Sequence, residues 1–290
     1  MTRIVGSLAE VADRYDAAFV DLWGCVHDGV RAHDEAVAAL RAYRAGGGRV
    51  VLVTNAPRPR ASVAAQIARL GVPDDAWDAI ATSGDAARVA LFEGAVGARV
   101  WFMGQDVDLA FFEPPRVVTS PVAIERVPLD EAEGIACCGP FDPHADPEAN
   151  RADFEAAIAR GLPLLCANPD IVVDRGHERE WCAGALAALY EGMGGRALYF
   201  GKPHRPIYDL ARLRLSEVAP LPPDARILAV GDGIGTDVAG AAGAGLDCLF
   251  VTGGLAARET GTVEQPEPLL LDAYLAGQNQ APAWAIGTLR

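Results

Sequence analysis

The stretch Ala18-Phe-Val-Asp-Leu-Trp23 is a short apolar run interrupted by a single carboxylate. A second run, Arg49-Val-Val-Leu-Val-Thr54, follows a helical pattern from His33 to Arg44 that stops at three consecutive glycines. Ala225-Arg-Ile-Leu-Ala-Val230 and Asp247-Cys-Leu-Phe-Val251 repeat the strand pattern far downstream, around a further helical pattern. Continuous apolar strands interleaved with helices indicate an α/β protein with a parallel sheet covered on both faces.

The middle of the chain has a strand and helix alternation of its own. Its three predicted strands are Arg99 to Met103, Gly134 to Cys138 and Leu162 to Ala167. Its predicted helix is Asp153 to Arg160. We therefore expect residues 84–183 to form a second α/β unit, inserted into a first unit made of residues 1–83 and 184–290. The tail from Gln265 is weakly patterned and predicts no element.

The composition of the chain disfavours several classes of protein. The formal net charge of −14 and the pI near 4.7 argue against a nucleic-acid surface or an anionic membrane face, both of which need clusters of basic residues. No apolar run is long enough for a transmembrane span, and Met1 to Ala12 has no secretory pattern. The cysteines lack metal-ligand spacing, so we expect reduced thiols in a cytoplasmic protein. They are Cys25, Cys137, Cys138, Cys166, Cys182 and Cys248.

One basic residue differs from all the others. Lys202 is the single lysine among 25 basic side chains, and the rest are arginine. It stands in Phe200-Gly-Lys-Pro203, between a predicted strand and a predicted helix. A compact ammonium at this position, in place of the planar guanidinium used everywhere else, indicates a specific electrostatic requirement.

Polar groups follow several of the predicted strands. Asp21 ends the first strand, Thr54-Asn55 ends the second, and Gly231-Asp-Gly-Ile-Gly-Thr-Asp237 follows the strand that stops at Val230. Each alone has an ordinary explanation as a turn carboxylate, a helix N-cap or a first-turn acid. Together they predict one site, because ligands gather at the carboxyl ends of parallel strands. Carboxylates suit Mg²⁺, while an ammonium, a hydroxyl and backbone amides suit phosphate oxygens.

This order of motifs resembles the haloacid dehalogenase-like (HAD) superfamily, specifically its class IIA branch of N-acetylglucosamine phosphatase-like and 4-nitrophenylphosphatase-like proteins. The resemblance covers nearly the whole chain. It is carried by Asp21-Leu-Trp-Gly24, Leu52-Val-Thr-Asn-Ala56, Ala167-Asn-Pro-Asp170, Gly201-Lys-Pro203 and Gly231-Asp-Gly-Ile-Gly-Thr-Asp237. It implies a Rossmann-like parallel-sheet core with an inserted α/β cap domain of the C2 type. It also implies Mg²⁺-dependent hydrolysis of small phosphorylated metabolites such as sugar phosphates, and suggests a homodimer formed through the cap.

The resemblance assigns a role to each matching residue. Asp21 would be the nucleophile that forms an aspartyl-phosphate, and Lys202 would neutralise charge beside it. Phosphate oxygens would be held by Thr54, Asn55 and Lys202. Mg²⁺ would be held by Asp21, the carbonyl of Trp23, Asp232 and, through a water, Asp237. Asn168 and Asp170 match a cap loop and are candidate substrate-facing residues; a turn set by Asn-Pro explains them equally well.

The first motif departs from the family pattern at Trp23, where phosphatases carry a second aspartate as general acid and base. An indole N–H only donates a hydrogen bond, so it cannot shuttle protons. The chain is then a slow phosphatase or one suited to leaving groups that need no proton, unless His27 or Asp28 replaces the missing group. The alternative is a catalytically weak phosphometabolite-binding or regulatory protein. A dehalogenase-type hydrolase is disfavoured because Asp232 and Asp237 are retained.

Overall fold

The computed structural model describes residues 2–175, 178–220, 222 and 225–290. The chain is divided into two compact units. The first comprises Met1–Thr54, Ala64–Ala81 and Lys202–Arg290, and the second comprises Asn55–Val63 and Thr82–Gly201.

The strands, in chain order, are β1 (Arg3–Ile4), β2 (Ala17–Val20), β3 (Arg49–Thr54), β4 (Ala79–Thr82), β5 (Arg99–Met103), β6 (Glu125–Arg126), β7 (Gly134–Cys137), β8 (Pro163–Cys166), β9 (Val172–Arg175), β10 (Glu178–Trp181), β11 (Arg196–Tyr199), β12 (Ile227–Gly231), β13 (Asp247–Val251) and β14 (Trp284–Ile286). The helices are α1 (Asp34–Ala45), α2 (Arg60–Arg69), α3 (Ser83–Phe92), α4 (Arg151–Ala159), α5 (Ala183–Gly192), α6 (Arg205–Val218), α7 (Ala239–Gly243) and α8 (Pro268–Gly277). A π-helical turn, Ile234–Val238, leads into α7, and short 3₁₀ segments occupy Leu8–Glu10, Ala12–Arg14, Asp74–Ala76, Asp106–Phe112, Leu129–Glu131 and Pro147–Asn150.

The first unit contains a seven-stranded sheet in the order β1-β14-β13-β12-β2-β3-β4. Within this sheet order, each strand from β1 to β3 is parallel to the next one. All four residues of β2 are buried, since the sheet is covered on both faces. Helix α6 covers one face and packs Ile207 and Ala211 against Phe19 and Val51. The predicted parallel α/β core is confirmed.

The second unit contains a parallel sheet in the order β11-β8-β7-β5-β6 and an antiparallel pair, β9 and β10. Alternate residues of β7 point to opposite faces, as expected for a strand. Ile135 packs with Phe154 of α4 and Leu186 of α5, whereas Ala136 packs with Leu91 of α3. Both faces of this sheet are therefore covered by helices.

The structure differs from the sequence-based expectation in the C-terminal tail and in the bounds of the second unit, which also includes Asn55–Val63. The tail after Gln265 contains α8 and β14, and β14 pairs with both β13 and β1. The second unit extends to Gly201, beyond the boundary expected at residue 183, because β11 pairs with β8 through Tyr199 and Cys166. Within the described residues, no helix combines the length and the apolar character needed to cross a bilayer.

Candidate active site

Asp21 lies directly after β2, at the carboxyl edge of the first unit's sheet. Its backbone N–H donates to the carbonyl of Val230 at 2.8 Å, which fixes the residue beside β12. The residue as a whole is 8% exposed. Thr54 is the last residue of β3, the strand that pairs with β2 on the other side, and it is also buried. The strand order thus brings Asp21 and Thr54 to the same edge of the sheet.

Lys202 is buried and joins two carboxylates. Its Nζ donates to Asp21 Oδ1 at 2.5 Å and to Asp237 Oδ1 at 2.8 Å. The other oxygen of Asp237 accepts hydrogen bonds from the N–H of Gly233 and the hydroxyl of Thr236, each at 3.2 Å. The ammonium therefore links two acids that lie 181 and 35 residues away in the chain.

Asp232 follows β12 and is held between two backbone segments. Its Oδ2 accepts a hydrogen bond from the N–H of Leu255 at 3.1 Å. A Cβ at Gly24 would lie 2.3 Å from this oxygen, and one at Gly254 would lie 2.0 Å from it. Gly24 also has a φ of +76°, which favours glycine. Only glycine backbone leaves room for the Asp232 carboxylate here.

The site carries an excess of buried negative charge. Asp21, Asp232 and Asp237 supply three carboxylates against the single ammonium of Lys202. Burial raises the pKa of the Asp21 carboxyl well above its usual range; Lys202 opposes this, and Asp237 and Asp232 add to it. A divalent cation fits this donor set because it balances the charge and accepts carboxylate oxygens as ligands.

A cysteine thiol completes the cluster. An oxygen of Asp21, an oxygen of Asp232 and the Sγ of Cys25 all lie within 4.8 Å of one another. The sequence shows no metal-ligand spacing for Cys25, and the residue is 2% exposed in the structure. The available signal was its position in the loop that begins at Asp21.

Trp23 is held by its own loop. Its ring makes an edge-to-face contact with His27, at 5.2 Å between centroids. A Cβ at Gly29 would lie 2.5 Å from Trp23 Cζ2, and Gly29 has a φ of +83°. The indole thus packs closely against a glycine, and it offers no group that accepts and returns a proton.

His27 and Asp28 are both engaged with backbone groups. Nδ1 of His27 accepts the N–H of Gly29 at 3.0 Å, and burial lowers the pKa of His27 to about 4. Oδ1 of Asp28 accepts the N–H groups of Val30 and Arg31, each at 2.8 Å, and the hydrogen bond from Arg31 lowers the pKa of Asp28. These contacts favour a role in shaping the loop for both side chains.

The remaining candidate residues form a separate cluster within the second unit. Nδ2 of Asn55 donates to Asp170 Oδ1 at 2.8 Å, and the N–H of Asp170 donates to Asn168 Oδ1 at 3.0 Å. Gly201 contacts this cluster closely, since a Cβ there would lie 2.4 Å from Asn55 Oδ1. Asp170 therefore holds the side chain of the residue that follows Thr54.

Known families and structures match this chain. A haloacid dehalogenase-like hydrolase model matches residues 18–113, and a HAD-hydrolase-like model matches residues 199–275. The structure of a haloacid dehalogenase-like hydrolase from Brucella suis 1330 is 38% identical, covers 99% of this chain and 100% of its own, and superimposes with a TM-score of 0.85. The chain belongs to the haloacid dehalogenase-like hydrolase family. The resemblance inferred from the motifs is thus confirmed, and with it the prediction of a hydrolase.

Other members of the family have more specific names. The D-glycerol 3-phosphate phosphatase of Mycobacterium tuberculosis is 28% identical over 252 residues, which is 86% of this chain but only 66% of that relative, just under two thirds of its length. A glycerol phosphate phosphatase from the same organism, solved with magnesium, is 27% identical with a TM-score of 0.62 and covers 84% of this chain and 70% of its own. It was also solved with calcium. Structures of this haloacid dehalogenase-like hydrolase family thus include complexes with divalent cations.

Proposed function

We propose that this chain is a phosphatase that hydrolyses small phosphate monoesters, with sugar phosphates and similar polyol phosphates as the substrate class. The observation that carries the proposal is the buried ammonium of Lys202, bonded to Asp21 and Asp237. A carboxylate nucleophile beside a fixed cation suits attack on a phosphoryl group, whose transition state spreads negative charge over its oxygens. The glycerol phosphate phosphatases of M. tuberculosis support the substrate class.

In this reaction Asp21 Oδ attacks phosphorus and the P–O ester bond breaks. The bonding electron pair leaves with the alcohol oxygen, which takes a proton from solvent, and an aspartyl-phosphate forms on Asp21. Water then hydrolyses this intermediate, which releases phosphate and restores the carboxylate. Lys202 neutralises charge in both steps, and the Thr54 hydroxyl with the Asn55 backbone N–H holds phosphate oxygens.

We infer that Mg²⁺ is the cofactor. Asp21, the backbone carbonyl of Trp23 and Asp232 would hold it, and Asp237 would act through a water. When bound, Mg²⁺ neutralises negative charge and orients the phosphate oxygens. The crowding of carboxylates around Asp21 supports this inference, since a cation lowers the electrostatic cost of burying them together.

Trp23 determines which leaving groups the enzyme handles well. General acid catalysis typically contributes about 10²–10⁴-fold to a rate, and the indole cannot provide it. Substrates with acidic alcohols should therefore turn over faster than alkyl phosphates. The same residue favours a second candidate, a phosphometabolite-binding protein with little turnover, which would bind phosphate esters in the presence of Mg²⁺ and release no phosphate.

We further propose that the second unit is the cap that selects the substrate, with Asn168 and Asp170 in its selecting loop, and that copies of the chain dimerise through it. Size-exclusion chromatography coupled to light scattering tests the dimer. All six cysteines are in the thiol form rather than in disulfides, which supports a reducing compartment such as the cytoplasm.

The decisive experiment is phosphate release from a panel of sugar phosphates, glycerol 3-phosphate and p-nitrophenyl phosphate, with Mg²⁺ or with a chelator. Asp21→Asn removes the nucleophile with little change in shape and should abolish release. Asp209→Asn is the matched control, because Asp209 is an exposed carboxylate on α6 paired with Arg205. Release by wild type that does not exceed release by Asp21→Asn would contradict the proposal.

A further inference from the structure

The thiol of Cys25 is a donor group that the proposed phosphatase chemistry does not use. Cys25 follows Gly24 in the loop after β2, and its Sγ lies within 4.8 Å of oxygens from both Asp21 and Asp232. The residue is 2% exposed, so the sulfur faces the interior of the first unit. Sulfur and two carboxylate oxygens at these separations can bind a single metal ion.

In the described part of the chain, no hydrogen bond explains why this thiol is placed beside the two carboxylates. Its Sγ makes no hydrogen bond there, whereas the Sγ of Cys166 donates to the carbonyl of Asn168 at 3.3 Å. Cys248 is equally buried in the same unit but packs among apolar side chains such as Phe250. Cys25 is thus the buried thiol in this unit that lies beside a pair of carboxylates.

The residue before Cys25 lies against one of the two carboxylates. Gly24 has a positive φ, and its backbone lies against the Asp232 carboxylate. A cation in contact with Cys25, Asp21 and Asp232 would stabilise a thiolate, and all three donor atoms lie within 4.8 Å of one another.

We propose that Cys25 Sγ is a direct ligand for a borderline divalent cation, such as Zn²⁺ or Co²⁺, in the cation site formed by Asp21 and Asp232. The proposal rests on the cation site of the proposed function and defines which metals that site prefers. Mg²⁺ takes oxygen ligands and retains waters, so it gains little from the thiol. Zn²⁺ and Co²⁺ bind sulfur well, and binding replaces the S–H bond by a sulfur–metal bond with release of the proton to solvent.

The test uses Co²⁺ as a spectroscopic probe on the full chain after chelator treatment. Wild type should develop a near-ultraviolet sulfur-to-cobalt charge-transfer band that saturates with one Co²⁺ per chain and disappears when Zn²⁺ is added. Cys25→Ser should lack the band, and Cys248→Ser should keep it. Cys25→Ser should also bind Zn²⁺ at least about tenfold more weakly in a competition assay, since even indirect support of a metal ligand is worth that much.

Each outcome bears on the proposal. A band that persists in Cys25→Ser, or its absence in wild type with Co²⁺ bound, overturns it. If Cys25→Ser fails to fold by circular dichroism, Cys25→Ala replaces it in the comparison, and a band that persists in Cys25→Ala overturns the proposal. Mg²⁺-dependent phosphate release by wild type is measured separately. Phosphate release without a sulfur-to-cobalt band contradicts only the role of Cys25 as a ligand. A sulfur-to-cobalt band without phosphate release contradicts only the proposed phosphatase activity.

Discussion

Replacing Lys202 with methionine removes the single ammonium from the site and leaves a side chain of similar length. Asp21 and Asp237 then remain buried as carboxylates without their counter-charge. The side chains involved are 4%, 10% and 5% exposed for Lys202, Asp21 and Asp237. Solvent therefore does little to screen the loss, and the variant should be less stable than wild type.

The size of the effect follows from the geometry. At N–O distances of 2.5 and 2.8 Å, each ion pair is worth about 6 kcal/mol at an effective dielectric constant of about 20. Desolvation offsets much of this attraction, and removal of one partner from a buried pair typically costs about 3–5 kcal/mol. For a chain of this size, with roughly 2 °C of melting temperature per kcal/mol, Lys202→Met should melt about 6–10 °C below wild type.

The assay is thermal unfolding in the presence of a chelator, followed by circular dichroism. Arg205→Met is the matched control, because Arg205 is an 85% exposed cation three residues further along the chain; it should change stability by less than about 0.5 kcal/mol. The double variant Lys202→Met with Asp237→Asn should recover at least about 1 kcal/mol, because one unpaired charge is then gone. A melting temperature for Lys202→Met within about 1 °C of wild type would show that the ammonium does not stabilise the buried carboxylates.

Three further perturbations have defined outcomes. Asp170→Ala should lower kcat/KM by roughly 10–100-fold, the value of a hydrogen bond to a charged group, whereas Asp170→Asn, which can still accept from Asn55, should retain most activity in steady-state assays. The pKa of His27 is lowered from 6.5 to about 4 in the folded protein, so the unfolded chain binds the proton more tightly. The folded state therefore loses up to about 3 kcal/mol of stability as the pH falls from 6.5 to 4. His27→Gln should remove that loss, which denaturant titrations at pH 7 and pH 4.5 would measure. Trp23→Asp should raise kcat for an alkyl phosphate by about 10²-fold or more but change kcat for p-nitrophenyl phosphate little, and a fall in both rates would count against the assignment.

The sequence predicted those parts of the fold that have a long, regular pattern. Strand β3 begins and ends where the apolar run Arg49 to Thr54 does, because a buried parallel strand requires continuous apolar residues. Strand β14 was not predicted, since three residues, Trp284–Ile286, are too few to show a period. Its position depends on pairing with β13 and β1, which no local pattern encodes.

The candidate site also has parts that the sequence predicted and parts that it did not. Asp21 and Lys202 were selected from the order of the motifs and from the unusual lysine, and the structure brings the two side chains into contact. The bond between Asn55 and Asp170 joins residues 115 positions apart and has no sequence signature. The place of Cys25 beside two carboxylates is signalled only by its position in the loop that begins at Asp21, because a buried cysteine in a strand-end loop looks like any small apolar residue.

The ion pair between Asp21 and Lys202 has a consequence for how the protein is made. Asp21, the proposed nucleophile, leaves the ribosome 181 residues before its ammonium partner, which at about 5–20 residues per second is a delay of roughly 10–40 s. During that interval the whole second unit is synthesised while the nascent first unit lacks both Lys202 and strand β12. We therefore expect the second unit to fold first during translation, and the Asp21 carboxylate to be enclosed only after the chain has grown past residue 237.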